Sequence, residues 1–199
     1  MHISIAFALS FSGLIPTEAA GLRENMLCNS GGRVVCLDIK TGQPKWVVRG
    51  GGDSSVAVYG DTMVVGASNI GLTAYRMSET EAQMLWQTRY GDNGASPAIF
   101  KGYVYAVGGN QAQCIDLATG QVKWARGLGS ASNSSPIVAD GKVFAVTGGM
   151  LRMLSANPDE FQNLGAARIS TANCSSPAIV NGRLFLRLRA GVACLDVRK

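Results

Sequence analysis

The feature that most constrains this chain is a turn motif that returns at a fixed distance. Cys36-Leu37-Asp38-Ile39-Lys40-Thr41-Gly42 leads to Trp46, and Cys114-Ile115-Asp116-Leu117-Ala118-Thr119-Gly120 leads to Trp124. Cys194-Leu195-Asp196-Val197 opens the motif a third time at the end of the chain. The three aspartates are 78 and 80 residues apart, two units each time. Degenerate copies lie between them: Leu72-Thr73-Ala74-Tyr75-Arg76, with Trp86 in the Trp place, and Leu151-Arg152-Met153-Leu154-Ser155. In both of these the Asp-x-x-Thr-Gly turn is lost. A period of this size means a repeat architecture.

A second landmark has the same period. Ser96-Pro97-Ala98-Ile99, Ser135-Pro136-Ile137-Val138 and Ser176-Pro177-Ala178-Ile179 are 39 and 41 residues apart. A glycine turn follows each, at Gly102, Gly141 and Gly182, and then an apolar run: Tyr103–Val107, Val143–Thr147 and Leu184–Leu188. A degenerate first copy reads Ser55-Val56-Ala57-Val58, Gly60, then Met63–Ala67. Each unit therefore holds four short strands. The first follows Ser-Pro, the second follows a glycine hairpin turn, the third ends at Asp and the fourth carries Trp. Four strands per unit of about 40 residues is the blade of a β-propeller. The expected fold is all-β, an incomplete propeller of about four to five blades.

Each landmark has a physical role in such a blade. The Asp carboxylate accepts backbone N–H bonds within its turn, and the glycine after Thr takes the left-handed position. Trp fills the wedge between neighbouring blades. The 25 glycines fit a chain of many tight turns, and a 47% hydrophobic content is ample for a core.

The pattern Ala/Cys-x-Asp-x-x-Thr-Gly-x-x-x-Trp resembles the repeats of the pyrroloquinoline-quinone (PQQ) family. Asp38, Thr41, Gly42, Trp46 and Asp116, Thr119, Gly120, Trp124 match it residue by residue. The resemblance runs from about Gly32 to the end, and the Gly-His and Trp-Asp marks of WD40 blades are missing. Two branches of that family are relevant. One holds quinoprotein dehydrogenases, for which the resemblance would imply PQQ, calcium and a catalytic Asp. The other holds non-catalytic propellers such as the BamB-type proteins that help assemble outer-membrane β-barrels. The chain departs from the first branch: it has no adjacent cysteine pair and no visible convergent Glu, Asn and Asp set for calcium. It departs from the second in that Asn25-Met26-Leu27 before Cys28 is not a lipobox.

Composition narrows the function further. The net charge of +5 is spread along the chain, and no basic stretch is interleaved with aromatics, so nucleic acid is not an expected partner. The sole histidine is His2, which removes most nucleophile–His dyads and all His-based metal sites. The five cysteines show no CxxC spacing. Cys36, Cys114 and Cys194 hold the same place in different blades and read as small buried hydrophobes. No catalytic, cofactor-binding or metal-binding residue is assigned.

The N-terminus has two open readings. Residues 1–31 form a signal peptide, or they are the remnant of a first blade, with the propeller running over 32–199. The apolar run Ile3–Ile15 has signal-peptide length, but the segment before it carries no Lys or Arg. No stretch is long enough for a transmembrane helix. From the blade count, the chain is expected to be the C-terminal part of a longer protein or a truncated gene product.

Two sets of residues are candidate sites. Asp53, Asn93, Asn133 and Asn173 recur every 40 residues in the loop before the inner strand. They either cap their own turns or, with Ser54, Ser96, Ser134 and Ser175, form a polar binding rim at one channel mouth. Arg183, Arg187 and Arg189 alternate with Leu184, Leu186 and Leu188, which puts the arginines on one strand face. That face is either solvated or a basic docking surface. The expected function is a non-catalytic scaffold for a protein or peptide partner, in an extracytoplasmic (periplasmic or secreted) location. The alternatives are a fragment of a PQQ-dependent oxidoreductase and a glycan-binding module.

Overall fold

A computed structural model describes residues 25–67, 70–90, 94–129, 134–171 and 175–198. The described residues form eighteen strands in five antiparallel sheets, with no helix. The first sheet holds β1 (Asn25–Ser30), β2 (Arg33–Asp38) and β3 (Pro44–Arg49). The second holds β4 (Ala57–Tyr59), β5 (Thr62–Ala67), β6 (Gly71–Met77) and β7 (Ala82–Thr88). The third holds β8 (Ala98–Phe100), β9 (Tyr103–Gly108), β10 (Gln111–Asp116) and β11 (Val122–Gly127). The fourth holds β12 (Ile137–Ala139), β13 (Lys142–Thr147), β14 (Met150–Ser155) and β15 (Asn163–Arg168). The last holds β16 (Ala178–Val180), β17 (Arg183–Leu188) and β18 (Gly191–Asp196).

In every sheet the strands pair in sequence order, as the four-strand unit requires. Three sheets are complete and two have three strands. The first sheet begins ahead of Gly32, since β1 pairs along the whole of β2. The last sheet has no Trp strand among the described residues. The short inner strands β4, β8, β12 and β16 lie side by side in succession.

Local chemistry sets this geometry. The first hairpin turns of the third, fourth and fifth sheets put two consecutive residues at positive φ: Lys101-Gly102, Asp140-Gly141 and Asn181-Gly182. That is the two-residue turn whose twist matches paired strands. A β-bulge recurs between the last two strands of the first four sheets, always just before the Trp place. There Cys36 opposes Trp46 while Leu37 opposes Pro44, and the same shift occurs at Ala74/Tyr75, Cys114/Ile115 and Met153/Leu154. A bulge adds local twist and re-aims the side chain beside it.

The hydrophobic core is divided into wedges, each shared by two sheets. Val64, Leu72, Ala74 and Trp86 of the second sheet pack with Val104, Ala106 and Ile115 of the third. Tyr105, Val107 and Cys114 of the third pack with Val143, Ala145 and Leu154 of the fourth. Phe144, Val146 and Leu151 then meet Leu184 and Leu186. A sheet in this arrangement buries both faces only when it has a neighbour on each side. This explains a difference from the sequence reading of the cysteines. Cys36 and Cys114 are fully buried, as expected, but Cys194 is exposed, on a side of the last sheet that no described sheet covers.

Candidate functional site

The residues that recur in each unit tie the sheets to one another. Asp38 Oδ1 accepts the amides of Lys40 and Thr41 and the Thr41 hydroxyl at 2.9–3.0 Å, and Asp116 Oδ1 accepts the Thr119 amide and hydroxyl at 2.8 Å. The Thr41 amide and hydroxyl hold the Asp38 carboxyl below its usual range, and the Thr119 hydroxyl and amide do the same for Asp116. Gly42 and Gly120 close these turns at φ +69° and +74°.

Each Trp then reaches the corresponding turn of the following sheet. Trp86 Nε1 donates to the Leu117 carbonyl at 2.8 Å, Trp124 Nε1 to Asn157 at 2.8 Å and Trp46 Nε1 to Ser78 at 3.2 Å. Sequence reading placed the indoles in the wedge but missed these bonds. The acceptors are backbone carbonyls, which leave no mark in residue type. It also took the turns after β6 and β14 as lost. Ser78 Oγ rebuilds the first by accepting the amides of Thr80 and Glu81, and Phe161 packs edge-on to Trp124 at 5.4 Å in the second.

The Ser-Pro positions form a second tie along the inner strands. The Ser55 amide donates to Ser96 Oγ at 2.8 Å, the Ser96 amide to Ser135 Oγ and the Ser135 amide to Ser176 Oγ, both at 2.9 Å. Ser54, Ser134 and Ser175 are buried, and Ser134 Oγ donates to the Ser175 carbonyl at 2.7 Å. Of the serines expected on a rim with Asp53, Ser96, Ser134 and Ser175 therefore bond from sheet to sheet, while Ser54 Oγ donates to the Gly66 carbonyl of its own sheet at 2.7 Å. Asp53 itself is exposed in the loop between β3 and β4. Asn93, Asn133 and Asn173 lie outside the described residues.

The alternation along β17 holds: Leu184 and Leu186 are buried, while Arg183, Arg187 and Arg189 are exposed. They do not share one place, however. Arg183 begins β17 and Arg187 and Arg189 sit at its far end, at least about 13 Å on at strand rise. Because the strands alternate in direction, the loop holding Asp53 shares an end with the β1–β2, β5–β6, β9–β10, β13–β14 and β17–β18 turns. Arg187 and Arg189 belong to that end and Arg183 to the other.

Sequence reading missed a set of arginines at the same end. Arg49, Arg126 and Arg168 lie at or near the ends of β3, β11 and β15, Arg89 directly follows β7, and all four are exposed. Their signal is present in the sequence as Trp-Val-Val-Arg, Trp-Gln-Thr-Arg, Trp-Ala-Arg and Gly-Ala-Ala-Arg. Among the described residues, no group of three or more His, Cys, Asp or Glu is arranged to hold a metal ion, and no helix is long and apolar enough to cross a membrane.

Successive four-stranded sheets with inner strands side by side and an outer Trp docked on the next unit define a β-propeller. A family model described as "Outer membrane protein assembly factor BamB" matches residues 12–160 and again 76–198. The chain belongs to this family of PQQ-like repeats. A curated relative, outer membrane protein assembly factor BamB of Moranella endobia (strain PCIT), is 31% identical over 144 residues, covering 61% of this chain and 35% of the relative. Among solved structures, BamB from Moraxella catarrhalis superposes with a TM-score of 0.73 at 16% identity, over 86% of this chain and 55% of that one. The WD40 domain of Toxoplasma gondii coronin gives a TM-score of 0.66 at 14% identity (88% and 54% covered). A quinohemoprotein alcohol dehydrogenase from Pseudomonas putida gives 0.56 at 14% (73% and 32% covered). These likenesses show the fold. The chain spans about a third of the curated relative and about half of the BamB structure.

Proposed function

We propose that this chain is a non-catalytic, protein- or peptide-binding propeller that works outside the cytoplasm in the assembly of outer membrane proteins. The observation that carries the reading is where the recurring polar side chains go. The aspartates shape turns, the serines bond sheet to sheet and the indole N–H groups meet backbone. Recurring chemistry is thus used on the scaffold, and loops and strand ends remain to meet a partner. Membership in a family described by outer membrane protein assembly supports the same reading.

A photoreactive amino acid at Asp53 and at Lys101, on opposite ends, tests it in cells. A crosslink from one end to a defined component of outer membrane protein assembly is the expected result. Absence of any protein crosslink from either end, with the chain folded and exported, would overturn the reading. The proposal assigns no cofactor, so PQQ with Ca²⁺ should leave Tm unchanged; a clear rise would favour an oxidoreductase instead.

A further inference from the structure

The two ends of the propeller differ in charge. At the end shared by Asp53, arginines mark the outer strand of four successive sheets: Arg49, Arg89, Arg126 and Arg168. Arg33 and Arg189 extend the set, and all are exposed. Asp53 is the only acid among the described residues at this end, and Asp92 is the one further acid in the sequence of its connections. The opposite end is mixed. Its cations meet carboxylates there, as in Lys45 with Asp38 and Glu79, Arg76 with Asp61, and Lys142 with Asp140.

The arginine end also places like charges against each other. Arg33 and Arg49 are direct partners across β2 and β3. Like charges directly opposite in a sheet repel, and an anion between them removes the penalty. A guanidinium presents a planar fork of donors that fits a carboxylate in two bonds.

We propose, building on the scaffold reading, that this end docks an acidic polypeptide segment, its carboxylates meeting Arg49, Arg89, Arg126 and Arg168 along successive blades. Spacing of one arginine per blade suits an extended chain with carboxylates at intervals. A bilayer surface fits less well, because membrane-surface binding needs apolar side chains beside the cations. Among the described residues, the exposed apolar Ile39, Tyr59, Val122 and Val180 stand at the opposite end, whereas beside the arginines only Val192, second in β18, and Val47, two residues before Arg49, are exposed.

The test uses the full chain with fluorescein-labelled poly-glutamate, read by anisotropy at low and high salt. Arg49→Glu/Arg89→Glu/Arg126→Glu is expected to weaken binding at least about tenfold and to flatten its salt dependence. Lys40→Glu/Lys101→Glu/Lys123→Glu makes the same charge change at the other end and should weaken it far less. Equal loss in both variants, or no binding of poly-glutamate by the wild-type chain, would overturn the proposal. So would binding to phosphatidylglycerol vesicles, lost in the arginine variant, without binding to poly-glutamate. If the triple variant does not fold, Arg89→Gln and Arg126→Gln singly should each weaken binding about two- to threefold, and no change would overturn the proposal. The crosslinking experiment above reports separately on the scaffold reading, since it requires no particular partner charge.

Discussion

The Trp86 ring occupies the space that a β-carbon on Gly120 would need: an ideal Cβ there would lie 2.6 Å from the indole Cγ. Trp86 belongs to one sheet and Gly120 closes a turn in the next, at φ +74°. The glycine of the motif thus serves two demands, a left-handed backbone and a flat seat for the preceding indole.

Gly42 isolates the first demand. It sits at φ +69° with nothing within 4 Å of an added Cβ. Gly42→Ala should cost about 1 kcal/mol, the strain of a side chain in that backbone region. Gly120→Ala should cost at least about 2 kcal/mol, because overpacking adds to strain. Urea denaturation of both variants checks this. In a Trp86→Ala background the difference between the two glycines should shrink, the Cβ left at position 86 still lying 2.9 Å from the added one, and an undiminished difference would refute the seat.

The serine chain predicts a local signature. Ser135→Ala removes the acceptor of the Ser96 amide, a partly buried group in the neighbouring sheet. The cost is expected at about 1–2 kcal/mol. Hydrogen exchange at Ser96 should speed up markedly, while the amides of β5 and β6 keep their protection. Unchanged exchange at Ser96 would show that the bond is not formed in solution.

Acid should loosen the turns. The Asp38 and Asp116 carboxyls are held below their ordinary range, foremost by hydrogen bonds from Thr41 and Thr119. A carboxyl with a depressed folded-state pKa stabilises above its unfolded value, about 4, and that contribution fades as pH falls through the folded value. Tm should therefore drop below about pH 4. Asp38→Asn/Asp116→Asn should lower Tm at pH 7 and shrink the drop between pH 5 and pH 3. An unchanged acid limb would assign it to other groups.

Thiol accessibility separates the equivalent cysteines. Burial pushes the Cys36 thiol up and the Cys114 thiol up to about 11, whereas Cys194 is exposed. With a maleimide at pH 7, peptide mapping should find Cys194 modified rapidly and Cys114 only after denaturation. Equal labelling of both would mean that the wedge between the third and fourth sheets opens.

Much of this was legible in the residues. The Asp-x-x-Thr-Gly spacing named the turn, and the Ser-Pro period named the inner strand, because both depend on side chains that only a few residue types can supply. The turn at Ser78 was hidden because a serine hydroxyl does there what a carboxylate does at Asp38. Cys194 was misread because burial depends on the neighbouring sheet, which an equivalent position in the repeat does not specify. Trp46 and Arg49 stand three residues apart, as do Trp86 and Arg89, so the basic end was written in the sequence. Seeing it as one end required knowing which strands run the same way.

The serine chain has a direction. From the second sheet to the fifth, the amide of one unit reaches the serine hydroxyl of the next, so these units meet head to tail. A copied unit inserted between two others would find an acceptor ahead of it and a donor behind it without any change of side chain. Growth of such a protein by duplication is therefore locally free of penalty. The number of units at which a ring can shut is left to the angle between one wedge of core and the next.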